Sequence, residues 1–266
     1  MVDHDITQSI LTWLNTGTLP HSVNHTFVTL IPKTKNPELV FEYRPISLCN
    51  IICKILSNVL ANRLKKFLPH LITEHQLAFA KNRLITANIL VAFETLHYMK
   101  KYVSGKNGFM TIKLDTSKTY DRVEWIFLEN LMGQMGFYKR WIDLIMLCVK
   151  TISYSILVNG EPKDLIYPTR GIRQGGLLSD FFFLLCTEGL HILIKKAANN
   201  GDIRGFSLCK WGLKITHLFF ANDSPLFCRA NIEECGNVLE LLAQYEACSG
   251  QKINKDKIAF FFSKST

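Results

Sequence analysis

The chain has 266 residues, 48% of them apolar and 20% charged, a balance that supports a buried core and excludes a disordered or fibrous polymer. Lysine and arginine outnumber aspartate and glutamate by 31 to 22, giving +9 at neutral pH, so a polyanionic partner is favoured over an acidic protein or a neutral metabolite. The eight cysteines form no CxxC pair and the eight histidines no paired ligand spacing, which argues for free thiols in a reducing compartment and against zinc.

The N-terminus, MVDHDITQSILTWLN, is unlike a secretory signal. The longest apolar run, Phe181 to Ile194, is interrupted by Glu188 and is shorter than the ~18 residues a membrane span needs. The expectation is a soluble intracellular protein, nuclear or cytoplasmic, with no membrane partner.

In chain order, a first helix is expected around Ile6 to Leu14, ending at Thr16-Gly17, followed by an extended stretch from Phe27 to Ile31 that leads into Pro32-Lys33. After Arg44 to Leu48, a long amphipathic helix carries Ile51, Ile52, Ile55, Leu56, Val59 and Leu60 on one side, and Pro69 is expected to stop it. A second long helix, Thr86 to Val103, runs into a Gly105/Gly108 loop. The period then becomes extended, and a strand from Phe109 to Leu114 delivers Asp115 at its C-terminal end.

Helices over Trp125 to Met135 and Lys139 to Thr151 come next, then a strand from Ser153 to Val158 turned at Asn159-Gly160. The glycine-rich TRGIRQGG bends into a strongly apolar helix that Ser179 is placed to cap. His217 to Phe227, HLFFANDSPLF, reads as a β-hairpin with a polar tip. The last helix opens on a capping box of Asn231 and Glu234 and closes at Ser249-Gly250. This irregular alternation fits an α+β fold, helices on one face of a mostly antiparallel sheet, with the acidic ends at 115 and 222/223 on neighbouring strands.

Carboxylates from two backbone segments are what a phosphoryl-transfer centre needs to hold a pair of Mg²⁺ ions ~4 Å apart. Asp115 and the tip have the right type, although acidic residues at strand ends are also common turn formers. The ordered motifs IPK (Ile31 to Lys33), YRPISLCN (Tyr43 to Asn50), SNVLANRLK (Ser57 to Lys65), HQLAF (His75 to Phe79), KLDTSKTYDRVEW (Lys113 to Trp125), RGIRQGG (Arg170 to Gly176), HLFFAND (His217 to Asp223) and SGQKINKDK (Ser249 to Lys257) carry a more specific signal. In that order and spacing the chain resembles the reverse transcriptase of plant long interspersed (LINE-type, non-LTR) retrotransposons over essentially its whole length. Group II intron maturases and telomerases share the palm but not this wording.

The resemblance implies a fingers-and-palm polymerase core, the fingers with an N-terminal helical extension at residues 1–108 and the palm at 109–266. It implies an RNA template, a DNA primer, deoxynucleoside triphosphates and a two-ion Mg²⁺ or Mn²⁺ site. Asp115 matches the first metal ligand, with the carbonyl of Thr116 beside it, and Asn222 and Asp223 match the usual Asp-Asp pair. Tyr120 matches the aromatic gate against a ribose 2′-OH, Gln174 the residue lining the incoming nucleotide with Arg173 nearby, and Lys33 and Arg44 the cations that meet the triphosphate. Lys257 matches a lysine proposed to protonate the pyrophosphate. Each has a plain alternative: Tyr120 as a core aromatic, Lys33 as a solvated strand-end cation, Arg44 as the partner of a surface acid.

Five departures cluster at this centre. Asn222 replaces a carboxylate; if that costs ~3–4 kcal/mol of transition-state stabilisation, the rate falls roughly a few hundred-fold or more. Pro225 removes a ladder donor in the return strand. Gly176 and Leu177 replace Asp-Pro, Asp180 replaces a proline, and Thr119 replaces a smaller alanine. The chain is therefore expected to be a degenerate copy with impaired activity, truncated so that the thumb is largely missing. The alternatives are a non-catalytic relic that binds RNA or RNA–DNA hybrid, and an inert pseudogene product.

Overall fold

A computed structural model describes residues 2–73, 85–101, 108–207, 214–220 and 223–264. In chain order the elements are α1 (Val2–Thr16), β1 (His25–Pro32), β2 (Tyr43–Cys49), α2 (Ile51–Leu71), α3 (Ile85–Lys101), β3 (Phe109–Ser117), α4 (Trp125–Gln134), α5 (Lys139–Lys150), β4 (Ser153–Val158) and β5 (Glu161–Ile166). These are followed by α6 (Ser179–Asn200), β6 (Phe206–Ser207), β7 (Lys214–Ile215), β8 (Asp223–Arg229), α7 (Ile232–Ser249), β9 (Lys252–Ile253) and β10 (Ala259–Phe262). The mixed α and β character expected from the sequence is present. Among the described residues the strands, however, divide among three sheets, because order along the chain does not reveal which strands pair. The chain forms two compact units, Met1–Lys66 with Tyr120–Phe183, and Phe67–Thr119 with Leu184–Thr266.

The first unit holds the sheet β2-β1-β4-β5, in which β1 and β4 are parallel and the other neighbours antiparallel. α1 ends where Gly17 takes φ 68° and its N–H donates to the Trp13 carbonyl at 2.9 Å, a left-handed stop that glycine adopts at little cost. Leu14 of α1, Leu56 and Leu60 of α2 and Leu144 of α5 border one small void, so the apolar stripes of these three helices supply this unit's core. The β4–β5 hairpin turns on Asn159 and Gly160, both at positive φ, as a two-residue turn matching strand twist requires.

The second unit holds β10-β3-β8, all antiparallel, with β9 also paired to β3 and β6–β7 forming a separate ribbon. Met110, Ile112 and Leu114 alternate along β3 and are all buried. Met99 of α3, Phe206, Ile215, Leu218 and Phe227 form a core cluster. α6 and α7 are tied by the Tyr245 hydroxyl, which donates to the Cys186 carbonyl at 3.1 Å. Burial pushes the thiols of Cys186 and Cys228 up to about 12, which keeps them protonated and unreactive.

Local expectations fail where a distant partner intervenes. Pro69 does not stop α2, which continues to Leu71: proline forfeits one bond in the last turn, yet the Ile72 N–H still reaches the Leu68 carbonyl at 2.9 Å. β3 runs two residues past Asp115, since Thr116 and Ser117 pair with Ile253 and Lys252 of β9. Ser179 is the first residue of α6 rather than its cap; the Leu178 carbonyl accepts the first helical bond, from the Phe182 N–H. Asn231 caps α7 by accepting from the Glu234 N–H at 2.7 Å, but Glu234 does not reciprocate. Its carboxylate instead accepts from the Arg204 and Arg229 backbones at 3.1 and 3.0 Å. The predicted end of α3 at Val103, the Gly105 loop and the HQLAF motif lie outside the described residues.

Candidate active site

In the second unit the antiparallel register places Asp115 of β3 directly opposite Asp223 of β8. The hairpin expected at 217–227 supplies this alignment: the Leu218 N–H donates to the Pro225 carbonyl at 3.0 Å, the Phe227 N–H to the Thr216 carbonyl at 2.8 Å, and His217 bridges Leu226. Pro225 therefore sits within the ladder, opposite Lys113, and accepts where it cannot donate. Asn222, at the tip, lies outside the described residues.

The Asp115 side chain is 21% exposed, and its Oδ2 lies 3.5 Å from Nζ of Lys257. A short 3-10 turn, Lys255–Lys257, positions that lysine; the Asn254 side chain caps it and the Asn254 N–H donates to the Asp115 carbonyl at 2.8 Å. SGQKINKDK is thus folded directly against the strand bearing the candidate ligand. Hard carboxylate oxygen at a strand end fits a divalent ion such as Mg²⁺. Among the described residues no three His, Cys, Asp or Glu side chains cluster tightly enough to hold a metal by themselves.

Thr116 shows the local cost of one departure. Its carbonyl accepts from the Thr119 hydroxyl at 3.2 Å, and the two hydroxyls lie 3.0 Å apart. An alanine at 119 would remove that bond. Thr119 is itself buried, its carbonyl 3.5 Å from the Gln251 side-chain amide, which also holds the Tyr245 hydroxyl.

The first unit carries the other candidates. Lys33 follows β1 and Arg44 lies on β2, paired in register with Ile31, so the two exposed cations share one end of this sheet. Lys33 Nζ donates to the Phe41 carbonyl at 2.8 Å. The RGIRQGG loop is docked onto the TYDRVEW turn by three bonds. The Ile172 N–H donates to the Tyr120 carbonyl at 2.7 Å, the Gly171 N–H to the Val123 carbonyl at 2.8 Å, and the Trp125 indole to the Gly171 carbonyl at 2.6 Å. Gly171 is required there: at φ 86° an added Cβ would lie 2.8 Å from the Asp121 carbonyl oxygen.

Tyr120 is half-buried against Phe183, and its hydroxyl donates to Asp180 at 2.8 Å. Burial first, and the Asp180 carboxylate second, push this phenol well above the ordinary tyrosine range. Asp180, one of the departures, is thus the hydrogen-bond partner of the candidate gate, a role its sequence position did not signal. Gln174 is partly exposed in the same loop.

Arg173 points inward. It is 8% exposed, and its guanidinium donates to the Asn24 side-chain oxygen at 2.6 Å, the Asn24 carbonyl at 3.3 Å and Cys53 Sγ at 3.3 Å. Asn24 in turn donates to the Cys148 carbonyl and to Thr151. Sequence reasoning did not single out Asn24; an asparagine just before a strand gives only a generic turn signal.

A family model described as reverse transcriptase (RNA-dependent DNA polymerase) matches residues 31–266. The Transposon TX1 uncharacterized 149 kDa protein of Xenopus laevis is 24% identical over 241 residues, 91% of this chain and 18% of that protein. The retrovirus-related Pol polyprotein from type-2 retrotransposable element R2DM of Drosophila melanogaster is 24% identical over 242 residues, 91% of this chain and 22% of that protein. The chain therefore spans about a fifth of the length of these relatives. Among solved structures, apo telomerase of Candida tropicalis, truncated from its C-terminal domain, superposes with a TM-score of 0.57 at 14% identity, covering 98% of this chain and 56% of that one.

Proposed function

The chain belongs to the reverse transcriptase (RNA-dependent DNA polymerase) family and is a domain of the non-LTR retrotransposon kind, and on that premise we propose that it derives from a plant element and extends a DNA primer on an RNA template. The observation that carries this reading is the register pairing of Asp115 with Asp223. Directly opposed ladder positions carry Cβ atoms ~4.5–5.5 Å apart, a spacing that suits shared divalent ions. Asp115, the Thr116 carbonyl and the 222/223 tip would hold them. When bound, the ions, Mg²⁺ or Mn²⁺, supply charge neutralisation at the attacking and leaving oxygens.

The remaining roles belong to the chain's own side chains. Lys33 and Arg44 meet the triphosphate, Tyr120 excludes a ribose 2′-OH, Gln174 lines the deoxynucleotide, and Lys257 returns a proton to pyrophosphate. Arg173 acts from the interior by anchoring the loop that carries Gln174. In this reading residues 1–108 are fingers and 109–266 palm, and the protein works where RNA templates are found, in the nucleus or cytoplasm.

Two observations favour a second reading, a metal-independent grip on RNA or RNA–DNA hybrid: the +9 charge, and the Thr119 hydroxyl already occupying the Thr116 carbonyl. Primer extension on RNA with Mg²⁺ or Mn²⁺ separates them. The polymerase reading predicts that Asn222→Asp raises incorporation by roughly a few hundred-fold, the equivalent of ~3–4 kcal/mol. No incorporation by Asn222→Asp with either ion, alongside Mg²⁺-independent retention of hybrid, favours the grip.

A further inference from the structure

We propose that a basic cavity in the second unit, which none of the described candidate active-site residues lines, binds a phosphate-bearing ligand of nucleotide size. The cavity measures about 590 Å³. That lies inside the ~300–1,000 Å³ range of small-molecule sites and far exceeds the need of a bare phosphate. His191, Lys195 and Asn199 face it from α6, Arg204 from the segment after that helix, Lys214 from β7, and His217 from the approach to the hairpin.

The sign of the lining decides the ligand's charge. Among the described residues no aspartate or glutamate borders the cavity, and Lys195, Arg204 and Lys214 form no ion pair. A second hollow on the same helix serves as a comparison: there Lys196 is accompanied by Asp202 and Glu240, the mixed lining of an ordinary solvated surface. Lys195 and Lys196 are neighbours in sequence, but consecutive residues project ~100° apart around a helix and so reach different hollows. Three cations around one concavity with a low-dielectric wall focus positive potential into it, and a dianion relieves their mutual repulsion.

The wall behind them is polar and fixed. His191 and His217 are 7% and 2% exposed, with Nδ1 of the first 2.8 Å from Nε2 of the second, and the Thr216 hydroxyl lies 2.9 Å from His217 Nδ1. Either tautomer of this relay satisfies the two bonds named, so this polar wall is held in place without any rearrangement of the backbone. Arg204 adds a planar fork suited to phosphate oxygens, and the lysines act as point charges. The phosphate can belong to an RNA strand or to a free nucleotide; the chemistry recognised is the same.

Binding of the full chain to a fluorescent single-stranded RNA of about 12 nucleotides, by anisotropy across a salt series, tests the proposal. Lys195→Glu, Arg204→Glu and Lys214→Glu should each weaken binding at least ~5-fold, and the triple variant should flatten the log–log salt slope by about 2, at ~0.7 per phosphate lost. Lys196→Glu, the same charge change one residue away, should shift affinity less than ~2-fold. Lys195→Gln with Lys214→Gln, milder at the surface, should follow the same direction if a reversal variant fails to fold. Adenosine 5′-monophosphate that competes with RNA on the wild type but not on the triple variant assigns the cavity to a nucleotide; slope loss without competition assigns it to the strand backbone. Equal loss in Lys196→Glu, or wild-type binding by the cavity variants, overturns the proposal.

Discussion

Replacing Arg173 with methionine separates a structural guanidinium from a ligand-binding one. The side chain is 8% exposed and makes one short charge-assisted bond, 2.6 Å to Asn24, with two longer contacts to the Asn24 carbonyl and Cys53; among the described residues its buried Nε has no hydrogen-bond partner. Losing a charge-assisted bond costs ~1.5–3 kcal/mol and the two longer contacts ~0.5–1.5 kcal/mol more, while the Asn24 side-chain oxygen keeps the Cys53 thiol as a donor at 3.3 Å. Methionine also removes the desolvation penalty of a buried charge, which offsets part of that sum. The net expectation is destabilisation of about 2–4 kcal/mol, comparable to a large fraction of a domain's total stability. Urea unfolding followed by tryptophan fluorescence is the assay, since Trp13, Trp125 and Trp141 all lie in the first unit with Arg173. Methionine within 1 kcal/mol of wild type, combined with weaker deoxynucleotide binding, would refute the inward role and return Arg173 to the nucleotide.

Three further outcomes follow from the same contacts. Gly171→Ala forces a side chain into positive φ at 2.8 Å from the Asp121 carbonyl and should lower stability in the same assay by at least ~2 kcal/mol; a neutral result would mean the loop is not docked on the TYDRVEW turn. The Tyr120 phenol, raised by burial and then by Asp180, should titrate above the ordinary ~10 in a 295 nm difference titration against Tyr120→Phe, and Asp180→Asn should bring it down. Because the folded value is the higher one, the stability it contributes is complete below the unfolded value and declines as pH rises through the folded one, so alkaline unfolding should begin near ~10. On the Asn222→Asp background, Thr119→Ala removes the hydroxyl from the Thr116 carbonyl and should speed single-turnover incorporation by ~2–12-fold, the equivalent of one hydrogen bond of ~0.5–1.5 kcal/mol; an unchanged or slower rate contradicts the capping argument.

The parts of the fold fixed by local chemistry were legible in the sequence. Asn231 and Gly250 bound α7 where their side-chain and left-handed preferences require, and Asn159-Gly160 turns the β4–β5 hairpin. β5 was not legible: GluProLysAspLeuIle is exposed throughout, so it has no alternation to read, and its strand character comes from pairing with β4. The overrun of β3 and the second bond partners of Glu234 have the same origin, a partner far away in the chain. For the site, composition and spacing gave only residue types. The α+β reading set Asp115 and the 222/223 tip on neighbouring strands, the wording of the motifs made them one site, and the register aligns Asp115 with Asp223. The inward course of Arg173 and the Asp180 contact to Tyr120 carried no sequence signal, because burial of a charged side chain is decided by the groups packed around it.

Divalent-ion binding at the β3–β8 strand end is the most direct test, read from the loss of the free Mn²⁺ electron paramagnetic resonance signal and so independent of turnover. Asn222→Asp should take up Mn²⁺, and adding Asp115→Asn should weaken that uptake by more than about tenfold, since outer partners of metal sites alone are worth ~10–100-fold. Equal Mn²⁺ uptake with and without the Asp115 carboxylate would contradict the assignment of these opposed strand positions as the metal-binding centre of a polymerase.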